Sequence, residues 1–68
     1  MRQVVLYPGE DGYWVAEVPS LPGCISQGAT KQEAIDNIRE AIELHVEVLK
    51  ERGQPVPEDA LEAILVAV

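Results

Sequence analysis

Residues 30–53 read TKQEAIDNIREAIELHVEVLKERG, and this stretch decides the fold. Thr30, followed three residues later by Glu33, is typical of a capping box: the hydroxyl accepts a bond from a first-turn amide, and the carboxylate reaches back to the cap. The stretch ends at Gly53, a residue that readily takes the left-handed conformation that closes a helix. The spacing therefore predicts one long helix between Thr30 and Gly53.

This helix is predicted to have two different faces. Apolar residues and one histidine recur at three- and four-residue steps, which places them on the face that packs on a sheet: Ala34, Ile35, Ile38, Ala41, Ile42, His45 and Leu49. Acidic residues occupy the remaining surface: Glu33, Asp36, Glu40, Glu43, Glu47 and Glu51. A run of charges is usually only a solvated face, so that interpretation stays open beside a binding role.

Three short strands are predicted before the helix, at residues 1–7, 13–18 and 24–29. The first two are rich in β-branched and aromatic residues, which favour strands. Asp11-Gly12 lies between them and is a hairpin signal. We expect the first two strands to be antiparallel.

A last strand is predicted at residues 63–68, after an extended segment at 54–57 and a helical turn at 58–61. A right-handed return from the helix would place this strand beside the first one and parallel to it. The predicted order is β-β-β-α-β. The fold class is therefore α+β, a single domain over residues 1–68 in which one helix covers one face of a small mixed sheet.

The composition limits the classes of function. Only five lysines and arginines stand against twelve acids, giving a net charge of −7, and nucleic-acid binding needs many basic phosphate contacts. One cysteine, Cys24, allows no internal disulfide, and one cysteine with one histidine cannot form a structural zinc site. We expect no signal peptide or membrane span and a cytoplasmic location, which suits a free thiol.

Self-association is also expected. One helix covers one face of the sheet, and monomers seldom leave a large apolar patch bare on the other. The last strand carries no charge and would be an aggregation-prone edge if nothing paired with it. Four residues are predicted to lie in the interface between copies: Tyr7, Trp14, Leu65 and Val66. A half-wet antiparallel sheet is the alternative.

Catalysis is not expected. A two-metal nuclease needs several carboxylates on neighbouring strands, yet Glu17 is the only acid within a strand core, and Glu10 and Asp11 lie in a turn. Cys24 and His45 have no evident third residue to orient them as a nucleophile and its base. The glycines match no phosphate-binding loop, so no cofactor or metal is predicted. Core or interface packing explains Tyr13 and Trp14 better than base stacking does.

The sequence resembles the N-terminal domain of the HicB-like antitoxins over residues 3–57. The resemblance rests on GYWVAEVP at 12–19, LPGC at 21–24, GAT at 28–30 with Glu33 and Ala34, and ERG at 51–53 followed by two prolines. It implies a partial ribonuclease-H-like fold, self-assembly into dimers or tetramers, and neutralisation of a small basic HicA-type mRNA-cleaving toxin by covering its active site. Family members commonly continue into a DNA-binding domain that is absent here, so we expect no DNA binding by this chain alone.

Three hypotheses remain. The first is a non-catalytic antitoxin-like module that binds a basic protein through Glu40, Glu43 and Glu47, because carboxylates can meet the basic side chains that would otherwise hold RNA. The second is a solitary homo-oligomeric domain with a structural or regulatory role. The third is a residual magnesium-dependent nuclease that depends on Glu17.

Overall fold

The computed structural model describes residues 2–59 and residue 67. Three antiparallel strands in the order β1-β2-β3 are followed by one helix, which confirms the α+β class. The elements are β1 (Val5–Pro8), a 3₁₀ turn (Glu10–Gly12), β2 (Trp14–Glu17), β3 (Ile25–Gly28) and α1 (Lys31–Glu51). The last predicted strand, at 63–68, falls outside the described residues except for residue 67. Residues 58 and 59 are not helical, and the rest of the predicted turn at 58–61 lies outside the described residues.

The strands are shorter than predicted, and β1 begins at Val5 rather than at residue 1. Val5 pairs with Glu17, so the register would place Gln3 opposite Pro19, which has no amide hydrogen to donate. The Gln3 amide instead donates to Asp59 Oδ2 at 3.0 Å. Pairing of the two strands therefore begins only at Val5.

The helix begins and ends where its sequence predicts. The Glu33 amide donates to Thr30 Oγ1 at 3.1 Å. The reciprocal bond from Thr30 to the Glu33 carboxylate is not among the hydrogen bonds of the described residues, so half of the capping box is formed. At the other end Gly53 has φ +66°, and the Gln54 amide donates to the Leu49 carbonyl at 2.9 Å. This is a Schellman closure, which satisfies carbonyls of the last turn.

The core lies between α1 and one face of the sheet. Its buried residues are Ala16, Val18, Leu21, Cys24, Ala34 and Ile38. Side chains alternate between the two faces of a strand, so Trp14 faces α1 together with Ala16. Trp14, one of the predicted interface residues, therefore lies on the covered face of the sheet: its half-buried ring packs against the core, and Lys31 Nζ lies 4.7 Å from the ring centroid.

Candidate functional site

The LPGC stretch is a turn that delivers the chain from β2 to β3. The Cys24 amide donates to the Leu21 carbonyl at 2.9 Å, with Pro22 and Gly23 between them. Gly23 has φ +85°. Proline followed by a residue of positive φ is the signature of a type II turn. Leu21 is fully buried and anchors this turn in the core, so the most distinctive sequence motif has a structural role.

Cys24 is buried beneath this turn and is poorly suited to act as a nucleophile. Burial raises the pKa of the Cys24 thiol, and the positive charge of Arg2 offsets only part of that effect. Arg2 also donates to Ser20 Oγ at 3.0 Å. His45 and Cys24 line the same groove, but a raised thiol pKa leaves little thiolate near neutral pH.

The acids considered for a nuclease do not come together. Glu17 lies on the uncovered face of the sheet and accepts a bond from the Tyr7 hydroxyl at 3.1 Å, whereas Glu10 and Asp11 lie in the 3₁₀ turn. Among residues 2–59 and 67, no group of three or more His, Cys, Asp or Glu side chains is arranged to hold a metal ion. The described residues therefore offer no metal site.

The acidic side chains of α1 form one continuous surface, which we call the acidic stripe. Ala34 and Ile38 are buried on the opposite side of the helix. At 3.6 residues per turn, the six acids fall on the outer side. They are all exposed: Glu33, Asp36, Glu40, Glu43, Glu47 and Glu51. Glu40, Glu43 and Glu47 lie together at its centre, so the residues predicted to bind a basic partner share one accessible surface.

The uncovered face of the sheet is apolar around one charged residue, Glu17. Tyr7 and Val15 face each other across β1 and β2, and Val5 and Ile25 flank Glu17. Tyr7 is 36% exposed. Partial burial, followed by the hydrogen bond to Glu17 and the negative charge of that carboxylate, raises the pKa of Tyr7. Of the four predicted interface residues, Tyr7 lies on this face, Trp14 lies on the other, and Leu65 and Val66 lie outside the described residues.

Sequence reasoning missed an apolar groove beside β3. It has a volume of about 410 Å³ and runs between the Gly23–Ile25 segment and the second half of α1. Leu44 is 62% exposed there, Ile25 52% and Val48 42%. The signal was present in the helix, because Leu44 and Val48 are apolar yet lie outside the predicted core-facing series at positions 34, 35, 38, 41, 42, 45 and 49.

These features define the class of protein as a small α+β domain with an acidic helix surface and exposed apolar surfaces. The chain belongs to the family described as HicB_like antitoxin of bacterial toxin-antitoxin system, whose sequence profile matches residues 3–66. That match confirms the resemblance identified in the sequence and supports an antitoxin-like role.

Relatives of similar length carry the name UPF0150. The UPF0150 protein Ta0767 of Thermoplasma acidophilum is 49% identical over 63 residues, which cover 93% of this chain and 91% of that protein. The UPF0150 protein ssr1765 of Synechocystis is 52% identical over 58 residues, 85% of this chain and 73% of that protein. A 14.9 kDa protein from the rep-hol intergenic region of Haemophilus phage HP1 is 47% identical over 47 residues, 69% of this chain and 35% of that protein.

No helix within residues 2–59 has the length and the apolarity that crossing a membrane requires.

Proposed function

We propose that this chain is a non-catalytic binding module that neutralises a small basic mRNA-cleaving toxin of the HicA type by covering its active site. The observation that carries the proposal is the acidic stripe, in which six exposed carboxylates lie on one side of a single helix. Membership of the antitoxin family supports a toxin as the kind of partner. A cytoplasmic location is part of the same proposal, because mRNA is the substrate of such a toxin.

Charge gives the stripe a definite way to act on such a partner. The rise of an α-helix is 1.5 Å per residue, so Glu40, Glu43 and Glu47 span about 10 Å along α1. Lysine and arginine side chains that hold RNA phosphates would meet carboxylates over a comparable distance. Complementary charge of this kind mainly accelerates association and makes it sensitive to salt.

The positions of the acidic side chains favour the binding hypothesis over the nuclease hypothesis. Glu17 is held by Tyr7 on the uncovered sheet face, away from the acidic stripe on the outer side of the helix. A Glu17→Ala variant should therefore leave toxin neutralisation unchanged. Magnesium-dependent cleavage of RNA or of an RNA–DNA hybrid, lost on Glu17→Ala, would contradict the proposal.

The test looks beside this gene for a short reading frame that encodes a small basic HicA-type toxin and measures binding to its product. The triple variant Glu40→Gln, Glu43→Gln, Glu47→Gln should reduce the association rate at low salt by about tenfold or more. Surface plasmon resonance at several salt concentrations gives the rates, and an mRNA-cleavage assay gives the residual toxin activity. The difference between wild type and variant should shrink as salt rises, because salt screens exposed charges.

A matched control removes the same number of charges elsewhere. Glu10, Asp11 and Glu58 are exposed acids outside α1, and the variant Glu10→Gln, Asp11→Asn, Glu58→Gln should bind at close to the wild-type rate. Equal losses in both triple variants would show that only net charge matters and would contradict a role for the stripe. Absence of binding between wild type and the toxin would overturn the proposal itself.

A further inference from the structure

Two exposed apolar side chains of α1 border the acidic stripe. Leu44 is 62% exposed and Val48 is 42% exposed, and both line the groove beside β3. Residues three and four apart are neighbours on a helix surface, with Cβ atoms about 5 to 6 Å apart. Leu44 is therefore next to Glu40 and Glu47, and Val48 is next to Glu51. The acids and the apolar pair form one continuous surface.

The core does not use this apolar pair. Within the described part of the chain, the buried core residues of α1 are Ala34 and Ile38, which lie on another side of the helix. Leu44 and Val48 keep most or nearly half of their surface in water. Contiguous exposed apolar surface of this kind marks interaction sites.

Charge decides on which side of the acidic stripe a basic partner extends. At 100° per residue, Leu44 and Val48 lie on one side of the stripe, and Arg39 and Lys50 lie on the other. Both cationic side chains are exposed. Like charges that face each other across a contact cost free energy. A basic partner is therefore repelled on the Arg39 and Lys50 side and admitted on the apolar side.

The acidic stripe alone is too small for a stable protein contact. Specific interfaces bury about 800 Å² on each partner, whereas Glu40, Glu43 and Glu47 span only about 10 Å of helix. A partner seated on these carboxylates must also cover the surface beside them. The side on which it is not repelled carries Leu44 and Val48.

The groove beside β3 also limits what the partner presents there. Among the described residues, the nine that line the groove include no acid, and Arg52 at one end is their only lysine or arginine. A basic side chain would find no carboxylate in the groove and would approach Arg52. The part of the partner that enters it is therefore apolar and carries no positive charge.

We propose that Leu44 and Val48 anchor the basic toxin on the acidic stripe, and that the toxin's basic patch is bordered by an uncharged apolar side chain that packs on them. Since neighbouring positions on α1 are about 5 to 6 Å apart, that side chain lies within about 6 Å of the basic groups. The inference rests on the proposed function and deepens it by naming the chemistry of the partner's surface.

The two parts of the surface act on different rates. Complementary charge mainly accelerates association, so the carboxylates of the acidic stripe set the association rate. Buried anchors carry most of the free energy of a protein contact, and differences in affinity appear mostly in the dissociation rate. Leu44 and Val48 therefore hold the partner after the stripe has attracted it.

The experiment is surface plasmon resonance with the product of the small basic reading frame that the test of the proposed function uses. The variant Leu44→Ala, Val48→Ala should raise the dissociation rate by at least about 30-fold and leave the association rate within about twofold of wild type. The increase should persist at high salt, because salt screens charges and not apolar contacts. Alanine favours the helix, so circular dichroism should show an unchanged fold.

Two further variants serve as controls. Leu44→Met keeps an apolar side chain of similar volume and should dissociate within about twofold of the wild-type rate. The variant Val5→Ala, Tyr13→Ala truncates two apolar side chains outside α1 that are 44% and 46% exposed. It should also dissociate at close to the wild-type rate.

The outcomes separate this inference from the proposed function. Binding by wild type with an unchanged dissociation rate in Leu44→Ala, Val48→Ala would overturn the inference alone, whereas no binding by wild type would overturn both. An equal increase in the Val5→Ala, Tyr13→Ala control would also overturn the anchor. So would a loss of sedimenting mass in Leu44→Ala, Val48→Ala without toxin, because these side chains would then act between copies of the chain.

Discussion

Gly28 lies directly against the first turn of α1, so close that a Cβ atom placed on it would be 2.5 Å from the backbone nitrogen of Ala34. Gly28 is buried at the end of β3, and Ala34 is buried in the core. This contact lets the helix begin with only two residues between it and the strand and still lie flat on the sheet.

The Gly28→Ala variant should lower the free energy of unfolding by at least about 2 kcal/mol, because the methyl group would meet backbone rather than a flexible side chain. Urea denaturation followed by circular dichroism measures the change. The Gly53→Ala variant is the control. A Cβ at Gly53 meets open space and should cost only about 1 kcal/mol, from its positive φ. Equal costs at the two glycines would show that the close contact is unimportant.

The Thr30→Ala variant should lower the free energy of unfolding by about 1 kcal/mol. Thr30 Oγ1 accepts the Glu33 amide at 3.1 Å, and alanine leaves that amide to solvent. Thr30→Ser keeps the hydroxyl and should remain within a few tenths of a kcal/mol of wild type. Thermal unfolding monitored at 222 nm compares the three proteins, and similar losses in the serine and alanine variants would contradict a capping role.

The Asn37→Ala variant should make the protein more prone to form fibrils at high concentration. Asn37 Nδ2 occupies the outward-facing Gln27 carbonyl at 2.8 Å, and a bare strand edge is a template for further strands. Thioflavin fluorescence over days measures the effect. Gln32→Ala serves as the control, because Gln32 bonds only Asp36 on the same helix among the described hydrogen bonds. An unchanged rate in Asn37→Ala would show that this edge is protected in another way.

Cys24 should react with iodoacetamide more slowly than a free cysteine, and the rate should keep rising at pH values above the ordinary pKa of a thiol. The pKa of Cys24 is raised by burial, so the neutral thiol persists to higher pH. Arg2→Gln removes the positive charge that lowers this pKa and should move the rate profile to still higher pH. Mass spectrometry gives the rates, and chain unfolded in urea gives the reference.

The raised pKa of Cys24 also determines how this residue changes the stability of the fold with pH. A pKa raised in the folded state stabilises the fold at pH values below the unfolded pKa, and that stabilisation is lost as the pH rises through the folded pKa. Alkylation faster than that of a free cysteine would contradict the shift and would reopen the Cys24–His45 nucleophile hypothesis.

The helix and its two ends were determined by local sequence. Thr30, Gly53 and the apolar spacing between them each favour the same structure through contacts a few residues apart, and the structure follows them. The antiparallel pairing of the first two strands was predictable for the same reason, since Asp11 and Gly12 both take the positive φ values that close their connection. The family was also predictable, because its motifs lie in these local elements.

Tertiary structure alone decided what local patterns cannot encode. Whether Trp14 is covered depends on which sheet face the helix occupies, and that choice comes from Ala16 and Ala34 packing together over a long sequence separation. The strand limit at Val5 depends on Pro19 and Asp59, which are distant in the chain. Leu44 and Val48 are exposed because the core is built on the side of the helix that carries Ile38. The helical period in the sequence shows that apolar residues recur along the helix. Only the packing of the helix on the sheet shows which of them stay exposed.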